Sequence, residues 1–335
     1  MKKYIYKTII SLLVINTACS VNNQNQAKTS NNTNNNNQTN ASQNTPLSLD
    51  NCTTSFGDNV PDFYKTYFKC SDIKVEGENV IIKTTGLPPY KTYYYGSGNP
   101  NYTEFDYSRG SEYKPNPNKI QKQDVTLTIP LNPITKNSEI SKTTVNGQVG
   151  GTNNYPMGTA GVSLNSVLLF NPLAAPGDNI EDEKYTFDDY NSHAQQNGQY
   201  HYHTSSKGPL EVLKKAGFIS NTEPGKAEIE LYGVMCDGSI IMGCTELDGS
   251  KPDPKNLDAQ NGHVHDISNK DKKVLLSNRY HTHICPSNSE FSHKFTPQIQ
   301  YYNTCQMSGV QNGQQNMGKP PIGNGGRPPM GMPPR

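Results

Sequence analysis

The chain has 335 residues, a formal net charge of +1, a hydrophobic share of 32% and no tryptophan. A balanced charge without a basic cluster excludes a nucleic-acid partner, which would need a clustered positive face to meet a phosphate backbone. So low a hydrophobic share implies tails that take no part in a core, leaving one domain of roughly 250 residues.

Residues 1–18 carry Lys2, Lys3 and Lys7, an apolar run at 9–15 and a short stretch ending in Ala18. That is the plan of a signal peptide, too short to cross a bilayer as a mature helix. Cys19 directly after Ala18 reads as a bacterial lipoprotein box, whose cysteine becomes acylated; two or more acyl chains make a stable membrane anchor. A plain secreted or periplasmic protein cleaved after Ala18 is the other reading, and both export the chain. Residues 19–50 are dominated by Asn, Gln, Ser and Thr. They cannot bury enough surface to offset ordering entropy, so the expectation is a disordered tether from a lipid anchor in the cell envelope.

Without Cys19, six cysteines remain: Cys52, Cys70, Cys236, Cys244, Cys285 and Cys305. An even set in an exported chain reads as three disulfides. Cys52 with Cys70 makes a short N-terminal staple; the pairing of the other four stays open. With no C-x-x-C, thiolate metal ligands are the weaker reading, although Cys285, two residues after His283, is a possible ligand.

Residues 51–305 read as strands and turns. IKVEGENVIIKT (73–84) suggests a hairpin around Gly77-Glu78-Asn79, and Val125 to Ile129 alternate apolar residues with Thr in the manner of a half-buried strand. Between them, 87–118 is rich in Pro, Gly, Tyr and Asn, a long loop that packs through amphipathic rings. Residues 160–170 and 227–235 are the strongest strands, Asp237-Gly238 is a hairpin-turn dipeptide, and 209–216 with Ser206 before it is one short helix. Few helices and many short strands predict an all-β or β-rich α+β fold, a sandwich-like single domain with disordered N- and C-terminal tails. The Gly-, Pro- and Met-rich tail at 306–335 belongs to that class, and its G-x-x-x-x-G-K match lacks the Ser or Thr of a phosphate loop.

Seven of the eight histidines fall into two copies of one pattern. The first is DDYNSHAQQNGQYHYH at 188–203; the second is DAQNGHVHD at 258–266 followed by RYHTHIC at 279–285. Each reads D-x-x-N-[S/G]-H, a spacer, then Y-H-x-H. If Y-H-x-H is a strand, its two imidazoles share a face about 6.6 Å apart, and can meet on one metal at about 2.0–2.1 Å per bond. His201 with His203, and His281 with His283, then form edges of a coordination polyhedron, while His193 or His263, with His265 nearby, arrives from the preceding turn. Asp188, Asp189, Asp258 and Asp266 are placed either as ligands or as acceptors that orient an imidazole. Asp188 and Asp258 have a plainer alternative as Asx turns leading into the histidine.

These motifs resemble the YHYH-domain family of exported bacterial proteins and lipoproteins, named for the run Tyr200-His201-Tyr202-His203. The likeness covers about 125–285 and takes in GVSLNSVLLFNPLAAPGDNIE (161–181) and LYGVMCDGSIIMG (231–243). Ser192 stands where Gly usually precedes the histidine, and Thr282 where the second run would have Tyr. The resemblance implies an extracytoplasmic location and histidine ligands, and it brings no reaction with it.

An imidazole-rich site suits copper or zinc and not magnesium or calcium. The expected function is therefore an exported, membrane-tethered protein that binds copper or zinc through clustered histidines. The alternatives are a surface interaction protein with a structural metal or none, and a metal-dependent hydrolase using a three-His zinc site at His193, His201 and His203. No G-x-S-x-G elbow and no H-E-x-x-H zincin motif is present.

Overall fold

The computed structural model describes residues 45–133, 158–171, 174, 179–258, 261–285 and 305–309. The signal peptide, Cys19, most of the tether and the end of the Gly/Pro/Met tail lie outside them.

A five-stranded sheet is formed by β1 (Ser55–Phe56), β2 (Ser71–Glu76), β3 (Asn79–Thr84), β4 (Val125–Pro130) and β13 (Gln306–Ser308), in that order. The β2-β3 turn falls at Gly77-Glu78, and Gly77 takes the φ of +59° that the turn demands. Along β4 the alternation of Val125, Leu127 and Ile129 with Thr buries only the apolar set.

The second sheet has eight strands: β5 (Thr159–Ser163), β6 (Leu168–Phe170), β7 (Ser192–Ala194), β8 (Tyr200–Tyr202), β9 (Leu231–Met235), β10 (Ile240–Met242), β11 (Gly262–Ser268) and β12 (Val274–His283). Their spatial order is β11-β12-β10-β9-β5-β6-β8-β7. Read from the β5-β9 pair outward, the two halves repeat one plan: a hairpin, then a second hairpin whose returning strand pairs parallel with the first (β8 on β6, β12 on β10). At the centre Val162 pairs with Val234, so a pseudo-twofold axis runs through that pair, normal to the sheet. Gly161 and Gly233 flank it as equivalents, and a Cβ on either would collide with the carbonyl oxygen of the other half's valine.

Register makes the symmetry exact at the residue level. His263, His281, Ile240, Val234, Val162, Leu168, His201 and His193 form one cross-strand row, a residue per strand. Residues paired across neighbouring strands share a face, so both histidine groups stand on the same face. Five strand spacings of about 4.8 Å put His201 and His281 roughly 24 Å apart.

Helices are few: α1 (Asp62–Tyr67), α2 (Ile180–Glu183) and α3 (Lys207–Lys215). Ser206 caps α3 through the Gly208 amide. A single core draws on both sheets and on α1, with Tyr64 and Phe68 beside Ile73, Leu127, Val162 and Val234. This is the β-rich, two-sheet architecture with few helices expected from the sequence. Among the described residues no helix is long and apolar enough to cross a membrane.

Three expectations are corrected. The stretch 160–170 is a hairpin rather than one strand, because Ser166 takes a φ of +64° and turns the chain between β5 and β6. The expected tether runs to residue 50, yet its last residues dock: Asn101 receives the Leu47 amide at 2.7 Å and returns a bond to the Leu47 carbonyl. Gln306–Ser308, expected as the start of a disordered tail, is strand β13 on β4, delivered there by the Cys236–Cys305 disulfide.

Candidate metal centres

The motif residues other than histidine build the hairpins that carry the histidines. Asn191 and Asn261 take φ of +54° and +56°, a conformation asparagine tolerates better than most residues. In the first copy Asp188 accepts the Tyr190 amide at 2.9 Å and the Tyr200 hydroxyl at 2.6 Å. Asp258 accepts the Gly262 amide at 2.9 Å and the Tyr280 hydroxyl at 2.8 Å. Asp, Asn and Tyr thus lock turn to strand on one face of each hairpin. The alternation of a strand then turns the two histidines beside that tyrosine to the opposite face.

In the β7-β8 centre the His201 Nε2 lies 3.1 Å from His193 Nε2 and 2.9 Å from His203 Nε2. Each ring's other nitrogen faces an oxygen: Gln199 O at 3.1 Å from His201 Nδ1, Asn171 O at 2.7 Å from His203 Nδ1, and Thr186 Oγ1 at 2.7 Å from His193 Nδ1. A carbonyl only accepts, so the Nδ1 atoms of His201 and His203 donate; a neutral imidazole has a single N–H, so their Nε2 atoms present lone pairs to each other. The Thr186 hydroxyl donates to Glu183 O at 2.8 Å, which leaves its oxygen facing His193 Nδ1, and the Asn116 amide nitrogen stands 3.4 Å from the same Nδ1.

The rings are held neutral. Burial pushes His203 down to about 4, and burial reinforced by the adjacent imidazoles pushes His193 and His201 well below the ordinary histidine range. Phe170 stacks on His201 with ring centres 3.8 Å apart, and Phe187 stacks on His203 at 5.5 Å. The three histidines are no more than 3% exposed. Glu183 Oε1 stands 3.5 Å from His193 Nε2.

The β11-β12 centre repeats the frame. His281 Nδ1 donates to Arg279 O at 3.0 Å and His283 Nδ1 to Gly243 O at 2.9 Å, matching Gln199 and Asn171. His283 Nε2 lies 3.2 Å from His263 Nε2. Glu246 is added: Oε1 is 3.0 Å from His263 Nε2, 3.2 Å from His283 Nε2 and 3.4 Å from His265 Nε2, and Oε2 is 3.1 Å from His281 Nε2. Burial pushes the Glu246 carboxyl up, but the His281 and His283 rings outweigh it and hold the group well below the carboxylate range. Lone pairs on these rings facing a carboxylate again call for a cation, proton or metal, at the middle. Unlike its twin, this centre opens to solvent: His265 is 40% exposed, and a cleft of about 340 Å³ is lined by Glu246, His263, His265 and Lys272.

Both groups place their ligand atoms within 4.8 Å of one another, His193, His201 and His203 in one and Glu246, His263, His265 and His281 in the other. Residues 126–259 match the family described as YHYH protein. The chain carries a YHYH domain. No curated protein and no solved structure matches the chain. The family match contains the first histidine group and ends before His263, so it is the internal repeat that ties the second group to the YHYH domain.

The four aspartates fall elsewhere than at ligand positions. Asp188 makes an Asx turn to the Tyr190 amide, Asp258 accepts the Gly262 amide four residues on, and both receive tyrosine hydroxyls; burial raises Asp188 to about 6. Asp189 is exposed. The Asp266 carboxylate accepts the Asn278 amide at 2.7 Å, and it is the Asp266 main-chain oxygen that meets His265 Nδ1 at 2.8 Å. Cys285 as a metal ligand is overturned, since it forms a disulfide with Cys244. Cys52 pairs with Cys70, the staple expected from the sequence, and Cys236 with Cys305. Sequence reasoning missed Glu246, Glu183, Thr186 and the two phenylalanines of the YHYH domain. Glu246 lies two positions after Cys244, whose bond to Cys285, two residues past β12, has no local signal in the sequence.

Proposed function

We propose that this protein binds transition-metal ions, copper or zinc, at both histidine centres. The observation that supports this most is the convergence of the His201 Nε2 atom with those of His193 and His203 at about 3 Å, with lone pairs on His201 and His203 turned toward each other. Nitrogens on a metal at about 2.0–2.1 Å stand at just such separations from one another, whereas bare lone pairs at that distance repel. Carbonyl acceptors on the far ring nitrogens are the usual way of fixing the tautomer and orientation of a metal-binding histidine.

We further propose that the protein works outside the cytoplasm on a lipid anchor at Cys19. The signal-like 1–18 segment supports this, as do three disulfides, which persist in oxidising compartments. A hydrolase built on His193, His201 and His203 is disfavoured, because a catalytic zinc keeps an open position and the Phe170 and Phe187 rings wall this group in.

Elemental analysis of protein purified from an oxidising compartment tests the reading. The native chain should carry two equivalents of metal, and His201→Ala with His203→Ala should leave one. A metal-free native protein would contradict it.

A further inference from the structure

We infer that the two centres divide the work: the β11-β12 centre takes a small exogenous anion directly onto its metal, while the β7-β8 centre is closed to any. The inference rests on the metal-binding reading and assigns a ligand to one of its two sites.

The argument comes from what differs between two otherwise equivalent frames. Counted from the motif histidines, Gln195, just past β7, and His265, on β11, occupy matching positions, as do Phe187 and Leu257 ahead of Asp188 and Asp258. Counted from the paired hairpins, Phe170 matches Met242, and Ala174 matches Glu246. In the first copy, the Phe170 and Phe187 rings cover His201 and His203. In the second, neither position is aromatic, and the two substitutions that add donor atoms, His265 and Glu246, both line the cleft. A closed shell of protein ligands is the mark of a structural site, and a site facing a cavity leaves room for a substrate or water.

The cleft also limits what can enter. Its 340 Å³ suits a small molecule. Lys251 and Lys272 stand among Asp248, Asp253 and Asp266, and Lys272 Nζ is bound to Asp248 at 2.8 Å. Such a mixed lining offers no broad positive surface, so an anion would draw its affinity from the metal and its selection from size. The Cys244–Cys285 disulfide joins the Glu246 loop to the end of β12 two residues beyond His283, and Glu230 receives the Cys244 amide at 2.8 Å. Both hold Glu246 over the β12 histidines, so the opening belongs to the folded site.

Cobalt(II) and azide test this on the full chain. Two cobalt equivalents should bind, and azide should change the visible d–d bands of one. His201→Ala with His203→Ala should remove the azide-indifferent cobalt and keep the response; His281→Ala with His283→Ala should abolish it. Because those strand variants can unfold, His265→Gln serves as a milder one: it installs the residue the first copy has, and should weaken binding of the azide-responsive cobalt while the azide-indifferent cobalt is unchanged. The inference is overturned if azide alters neither cobalt, alters both, or still acts after loss of the β11-β12 histidines. Failure to take up any cobalt would instead defeat the metal-binding proposal itself.

Discussion

At the scale of single residues, each imidazole is set by what its far nitrogen touches. His201 and His203 need nothing outside the strand and its neighbour, since Gln199 O and Asn171 O supply their acceptors. His193 depends on Thr186, whose own hydrogen is spent on Glu183 O. The rings therefore carry a pH signature in metal-free protein. His203 ionises near 4 in the native state against an ordinary value of 6.5, and His193 and His201 move the same way. Between those limits the unfolded chain binds more protons than the native one, so stability rises with pH across the window and levels off above 6.5. Asp188 opposes this, being raised to about 6 from 3.8, so that its contribution falls as pH rises through that range. Burial also raises Glu211 and Glu230, which act in the same sense as Asp188, while His263 is pushed down to about 4 and joins the three imidazoles of the β7-β8 centre; the four imidazoles leave a net rise. Urea midpoints of metal-stripped protein should be higher at about pH 6.5 than at about pH 4.5; equal or falling midpoints would contradict the buried, neutral triplet.

At the scale of elements, the hairpin is the unit that was repeated. The histidine copies at 188–203 and 258–283 are legible in the sequence because each His-x-His spacing matches the two-residue period of a strand. Asp, Asn and Tyr recur with them because they make the turn and its lock. Less legible was the other half of each unit. β5-β6 and β9-β10 share no chemistry, only the turn position at Ser166 and Gly238 and the glycines Gly161 and Gly233, which permit the two halves to approach at the axis. Glu246 was hidden for a related reason: it reaches the centre through the β10-β12 pairing and the Cys244–Cys285 bond, neither of which has a local sequence signal. The glycines give a prediction at this scale. Gly233→Ala forces a methyl against the Val162 carbonyl and should destabilise the protein by about 1–3 kcal/mol in denaturant unfolding. An unchanged denaturant midpoint would argue against a tightly packed axis.

At the scale of the whole molecule, one sheet presents two centres on one face, at opposite ends of a row that reads His-His-Ile-Val-Val-Leu-His-His. Their separation, roughly 24 Å by strand spacing, is far beyond the about 3.5–4 Å of a two-metal site. The two metals proposed for it are therefore separate ions rather than a bridged pair, one enclosed by phenylalanines and one beside a cleft. The most direct test is anomalous diffraction from crystals of the metal-loaded protein, collected at the absorption edge of the bound metal. The expected result is two peaks, one about 2.0–2.1 Å from the Nε2 atoms of His193, His201 and His203 and the other at that distance from the β12 histidines. Density for these rings with no anomalous peak among them, or metal held through Nδ1 with the carbonyl bonds broken, would contradict the account.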